Sequence, residues 1–116
     1  MANHALYPID EVGRQHLADQ LTQKGLTPTQ SRRRMDKDKI EQMTDDMLNG
    51  RFDWNASALE PILLSLSNEV YGGHHRLIAG ELAGLDLLSM PGQTVRLGST
   101  SGVRPHFSWI DVLPPV

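Results

Sequence analysis

Two adjacent glycines, Gly72 and Gly73, stand between an apolar run and a helical repeat, and that junction constrains the fold more than any other stretch. Ahead of them, Pro61-Ile62-Leu63-Leu64-Ser65-Leu66 leads through a short polar turn, Ser67-Asn68-Glu69, into Val70-Tyr71. Behind them, Ile78, Leu82 and Leu85 recur at i, i+4 and i+7, the pattern of a helix with one buried face. The glycines therefore mark a strand-to-helix turn, and His74, His75 and Arg76 open the helix. The first turn of a helix has unpaired N–H groups and a partial positive charge, which suits an anion such as phosphate. Glycines let a ligand approach the backbone, and Arg76 can clamp phosphate oxygens with two parallel hydrogen bonds. The competing reading of the same residues is a plain Gly-Gly turn with both histidines in solvent.

The run Gly72-Gly73-His74-His75-Arg76 resembles the signature of the ParB/sulfiredoxin fold family. There a strand enters a Gly-Gly-Cys-His-Arg turn in sulfiredoxins, or a Gly-x-Arg-Arg type turn in ParB proteins. The likeness extends back through Lys39-Ile40-Glu41-Gln42-Met43 and Pro61-Ile62-Leu63, covering residues 31 to 86. His74 stands where sulfiredoxins carry their nucleophilic cysteine. The resemblance implies a compact α+β domain over residues 31–116, a small mixed sheet with helices packed around it, preceded by an accessory helix and linker over residues 1–30. It implies nucleotide binding and hydrolysis, nuclease action or phosphoryl transfer. It matches Lys39 to a lysine that helps hold a nucleotide, and Arg32 to Arg34 to an arginine-bearing strand before the first family helix. Small, histidine-rich versions are similar to C-terminal toxin modules of bacterial polymorphic secretion systems. That implies a nuclease acting in a target cell's cytoplasm, with a cognate immunity protein as partner.

Composition narrows the chemistry independently. At 116 residues the chain is one domain, able to bury about two thirds of its unfolded surface. Its apolar content is 39% and its mean hydropathy −0.36, a modest core. A net charge of −3 argues against a generally basic surface, so any nucleic-acid or nucleotide contact must be a local patch. Without cysteine there are no disulfides, no thiol nucleophile and no thiolate metal site. No apolar run is long enough to span a membrane, and the N-terminus lacks a signal-peptide pattern.

Along the chain, residues 8 to 24 read as a helix, with Pro8 at its first position and Ile9, Val12, Leu17 and Leu21 as its apolar face. His16 sits mid-helix with no role assigned. After the break at Thr27-Pro28-Thr29-Gln30, the arginines Arg32, Arg33 and Arg34 are either a solvated charge run or a second phosphate-binding wall. On a strand, Arg32 and Arg34 would share a face. Asp36 or Asp38 can cap a helix carrying Ile40, Met43, Met47 and Leu48, which Asn49-Gly50 ends. On it, Lys39 is either an exposed lysine or a ligand contact. Residues 51–60 read as a loop, with Phe52 and Trp54 as lid anchors or a base-stacking platform and Asp53 as a candidate base. Residues 84–91 read as a turn, residues 94–97 as a strand, residues 98–102 as a mobile loop and residues 106–113 as a final strand. Arg104 and His106 flank that loop and form a second tier of site candidates.

In the nuclease reading, Gly72, Gly73, Arg32, Arg34 and Lys39 hold phosphate and Arg76 stabilises developing charge. One of His74 and His75 activates water and the other protonates the leaving oxygen. No metal is required by this scheme, although a divalent ion such as Mg is compatible with it. Neighbouring histidines diverge by about 100° on a helix, which disfavours a shared zinc, and no Walker loop or nucleophile elbow occurs. The alternatives are a nucleotide-hydrolysing enzyme using the same residues and a non-catalytic DNA- or protein-binding module. The binding module needs Arg76 and the arginine segment but tolerates loss of both histidines.

Overall fold

The hairpin that leads to the glycines is built by one side chain. Ser65 Oγ accepts the N–H groups of Ser67 and Glu69, and Asn68 takes a left-handed conformation at φ 64. Asn is among the few non-glycine residues that adopt it readily. This turn folds β2 (Ile62–Leu64) back onto β3 (Glu69–Gly72) in antiparallel pairing. β1 (Thr27–Pro28) adds to β3 in parallel, and β4 (Thr94–Arg96) adds to β2 in parallel. The result is a four-stranded mixed sheet in the order β1-β3-β2-β4. The computed structural model describes residues 7–8, 10–57, 61–98 and 104–116.

Helices close over this sheet, giving an α+β fold. α1 spans Glu11–Gln23, α2 Lys37–Leu48, α3 Trp54–Ser57, α4 His74–Leu82 and α5 Trp109–Val112, with 3₁₀ turns at Arg32–Arg34 and Leu87–Ser89. α4 continues directly from β3 and packs chiefly on α2. Asp36 caps α2 by accepting the N–H groups of Asp38 and Lys39. The core joins Ile62, Leu64 and Val70 of the sheet to Leu77 and Ile78 of α4 and Ile40 of α2. The segment expected as accessory helix and linker contributes Tyr7, Leu17, Ala18, Leu21 and Leu26 to this core, together with the edge strand β1. Among the described residues no helix is long and apolar enough to cross a membrane.

Local expectations need correcting at five places. Residues 106–113 do not form a strand. Trp109, Val112 and Leu113 bury together at helical spacing, Trp109 Nε1 donates to Leu26 O, and Ser108 O accepts the Val112 N–H. Alternating and helical spacing coincide over so short a run, and burial of the indole decides for α5. Arg32 to Arg34 form a 3₁₀ turn, because Pro28 and Thr29 end the strand early and the N–H groups of Arg34 and Met35 close back on Ser31 and Arg32. α1 begins after Asp10, whose carboxylate accepts the Gly13 N–H, so Pro8 precedes the helix. Its inward face carries Arg14 while Val12 is 80% exposed. On α2, Thr44 is buried through its bond to Ile40 O, and Leu48 faces out. Within residues 51–60, Asp53 caps α3 by accepting the N–H groups of Asn55 and Ala56. Most of the mobile loop expected at 98–102 lies outside the described residues.

Arg14 is the inward-facing surprise of α1. Only 5% exposed, it donates from Nε and Nη2 to Leu113 O at 3.3 and 3.0 Å, and from Nε to Pro114 O at 3.2 Å. It also reaches Ile110 O, and pairs with Glu11 at 2.7 Å. These are carbonyls at the end of α5 that a four-residue helix cannot satisfy itself. Arg14→Ala is therefore expected to cost about 3 kcal/mol, because it strands the buried Leu113 carbonyl and loses charge-assisted bonds to Ile110 O and Pro114 O, which keep Arg32 and Tyr7 as donors. Urea unfolding followed by Trp109 fluorescence checks this, and an unchanged midpoint would contradict the capping role.

Candidate functional site

Gly73 fixes where α4 begins. It sits at the N-cap with φ 81 and ψ 24, and a Cβ there would lie 2.9 Å from the Ile62 Cα. Both the left-handed backbone and the contact with β2 demand glycine. The first helical bond of the turn runs from the Leu77 N–H to Gly73 O, so His74, His75 and Arg76 form the first turn of the helix. This end opens on a first cleft of about 370 Å³. Gly72, Gly73, His75, Arg76 and Lys39 form its polar side, and Met43, Pro61 and Leu63 form an apolar wall. Arg76 is only 6% exposed yet lines the cleft, and α2 presents Lys39 opposite.

The two histidines face the segment before α2. His74 Nε2 accepts the Thr29 N–H at 3.1 Å, and His75 Nε2 accepts the Asp36 N–H at 2.9 Å. An imidazole that accepts at Nε2 carries its single proton on Nδ1, so both rings are held neutral. His74 is 2% exposed, with the Trp109 ring centre 6.3 Å away, and its Nδ1 has no hydrogen-bond partner among the described residues. Burial, followed by the positive fields of His75 and Arg104, pushes the His74 pKa down to about 4. Burial and then Lys39 lower that of His75, against an opposing pull from Asp36. Proton exchange at Nε2 of either ring would first break a bond to the backbone.

Beyond His74 and Gln30, which line both spaces, lies a second cleft of about 410 Å³. Arg34 and Arg104 line it with Tyr71. Arg104 stacks over the Tyr71 ring at 4.5 Å and donates to Tyr71 O at 3.2 Å. The other candidates go elsewhere. Arg32 donates to Ile110 O at 3.1 Å, because the 3₁₀ turn separates it from Arg34 where a strand would have aligned them. His106 pairs with Glu69, whose carboxyl is held below its usual range first by Ser65 and then by that histidine. Asp53 is occupied as the cap of α3. Phe52 and Trp54 stack on each other at 4.6 Å and line neither cleft.

The sequence reading missed the main-chain donors of Thr29 and Asp36, and Tyr71. The signal available was Pro28, which stops β1 and leaves the next N–H to find a partner outside the ladder. Among the described residues no acidic side chain lines either cleft, although the chain carries 14 of them. Among the described residues no group of three or more His, Asp or Glu is placed to hold a metal. The chain matches no family model, no curated protein and no solved structure.

Two predictions follow from this geometry. Gly73→Ala meets Ile62 backbone and a left-handed φ, and should cost about 3 kcal/mol. Gly72→Ala meets only the Leu63 side chain at 3.2 Å and should cost about 1 kcal/mol or less, so equal losses in denaturant melts would contradict this account. The second concerns pH. His74 titrates near 6.5 when unfolded and at about 4 when folded, so the unfolded chain binds more protons in between. Stability from this group is complete above about pH 6.5 and falls on acidification toward pH 4, by on the order of 3 kcal/mol. His74→Gln keeps an acceptor for Thr29 without titrating, and melts across this range should show a shallower acid slope. An identical slope would mean that His74 is not the titrating group.

Proposed function

We propose that this chain is a phosphate-handling domain of ParB/sulfiredoxin type, binding the phosphate of a nucleotide or nucleic acid in the first cleft. The observation that carries the reading is that the α4 start, Lys39 and Arg76 line one cleft together with the apolar Met43, Pro61 and Leu63. A helix start and two cations suit a phosphate, and Met43, Pro61 and Leu63 offer the surface that a sugar or base requires. In this reading the histidines fix the site: neutral, with their Nε2 atoms tied to the backbone, they anchor the arginine-bearing turn and leave Nδ1–H as a donor.

The second reading is phosphodiester hydrolysis in the same cleft, as in a nuclease. One observation favours it: His75 is half-buried, lines the cleft beside Arg76 and Lys39, and keeps a second ring nitrogen beyond its bond to Asp36. A nuclease would place the scissile phosphate at the helix start and let Arg76 take up developing charge.

The test combines binding and turnover. Purified protein is titrated with thymidine 5′-monophosphate and a short oligothymidylate, then incubated with DNA, RNA and nucleoside triphosphates. Lys39→Ala should weaken both ligands by roughly tenfold, as loss of one phosphate contact implies. Full affinity in that variant would remove the first cleft from the proposal. His75→Gln preserves an acceptor for the Asp36 N–H. It should retain binding and, if hydrolysis occurs, lose about 10²–10⁴-fold in rate. Cleavage at the parental rate would sink the nuclease reading and leave the binding one standing.

A further inference from the structure

The second cleft has no part in the phosphate site just described, yet it has the makings of one. Arg34 and Arg104 are both exposed and both line it, and among the described residues no acidic side chain does. Arg104 is not a free-swinging side chain: its stack on Tyr71 and its bond to Tyr71 O hold the guanidinium at the cleft wall. Ser31 adds a hydroxyl and Gln30 an amide. The floor holds a group that asks for a partner. His74 is 2% exposed, its Nε2 is committed to the Thr29 N–H, and its Nδ1 bonds to nothing among the described residues. A buried N–H donor without an acceptor costs about 1–3 kcal/mol, and an anion's oxygen in the cleft would recover it. Gln30 and His74 also line the first cleft, so the two spaces adjoin across a shared wall.

We propose that the second cleft binds a second phosphate of the same ligand, so that the ligand is a single-stranded nucleic acid lying across both clefts. This rests on the phosphate reading of the first cleft. A mononucleotide in the first cleft leaves Arg34 and Arg104 idle. A strand carries an anion at every residue, and the wall shared by the clefts lets successive phosphates reach both sets of cations. Guanidinium forks suit phosphate oxygens better than a point charge does.

Fluorescence titrations of a short oligothymidylate and of thymidine 5′-monophosphate, run across a salt series, test this with an Arg34→Ala/Arg104→Ala variant. The oligonucleotide should weaken by at least about tenfold, and its salt slope should shrink by about 1.4, as two lost contacts to a single strand imply. Monophosphate affinity should stay within about twofold of the parent. Arg104→Lys with Arg34→Lys should restore much of the salt slope but less of the affinity, which separates lost charge from a disturbed fold. Unchanged oligonucleotide binding in the alanine variant, with Lys39→Ala still weakening both ligands, would overturn the second site and leave the first intact. Equal losses for both ligands would place the arginines in the mononucleotide site and overturn the proposal as well. Competition by oligoglutamate as strong as by oligothymidylate would overturn the nucleic-acid assignment. Binding of neither nucleotide ligand by the parent protein would remove the first-cleft reading and this one with it.

Discussion

The fold depends on how two backbone N–H groups are satisfied. Thr29 and Asp36 each donate to an imidazole of α4, and between them lies the turn that carries the arginines. These bonds do what a longer strand would do in a sheet: they hold residues 29–36 against the helix that follows β3. Because the acceptors are ring nitrogens, the attachment exists only while the rings are uncharged. The same two contacts thus position the site, fix the histidine tautomers and make the acid limb of stability a property of the site.

Charge is distributed against the average of the chain. Net charge is −3, yet among the described residues every charged side chain lining the two clefts is Arg or Lys. Elsewhere acids are used locally. Asp10, Asp36 and Asp53 cap helices, Glu11 meets Arg14, and Glu69 meets His106. Net charge therefore speaks to solubility and long-range repulsion, while the cations lining the two clefts set the local potential. Desolvation weighs on the same region, since it lowers the pKa values of both histidines.

What was legible in the sequence was what short-range rules decide. Gly72-Gly73 between an apolar run and a 3.6-residue repeat located β3, its turn and α4, and Asp36 and Asn49-Gly50 bracketed α2. The placements that failed depend on partners far along the chain. Whether residues 106–113 pair as a strand or coil into a helix turns on the space for Trp109 beneath Leu26. Arg32 reads as equivalent to Arg34 until a 3₁₀ turn sends one to Ile110 and the other to a cleft. Arginine is rarely buried, and only the carbonyls at the end of α5 explain why Arg14 is. The placement of the histidines at a helix entrance was legible, but their acceptor bonds were not, because the donors are main chain.

The Arg14 clasp has a consequence for the order of assembly. α1 is among the first described elements to be synthesised, yet its buried guanidinium has no carbonyls to hold until residues 110–114 exist. Until then α1 must leave that charge in water, and Leu17, Leu21 and Leu26 lack the cover of Trp109 and Leu113. On a ribosome the sheet and the α2–α4 pair can form while the last residues are still in the exit tunnel. The α1 side of the core closes only after they emerge, so this domain cannot complete its fold until α5 is clear of the ribosome.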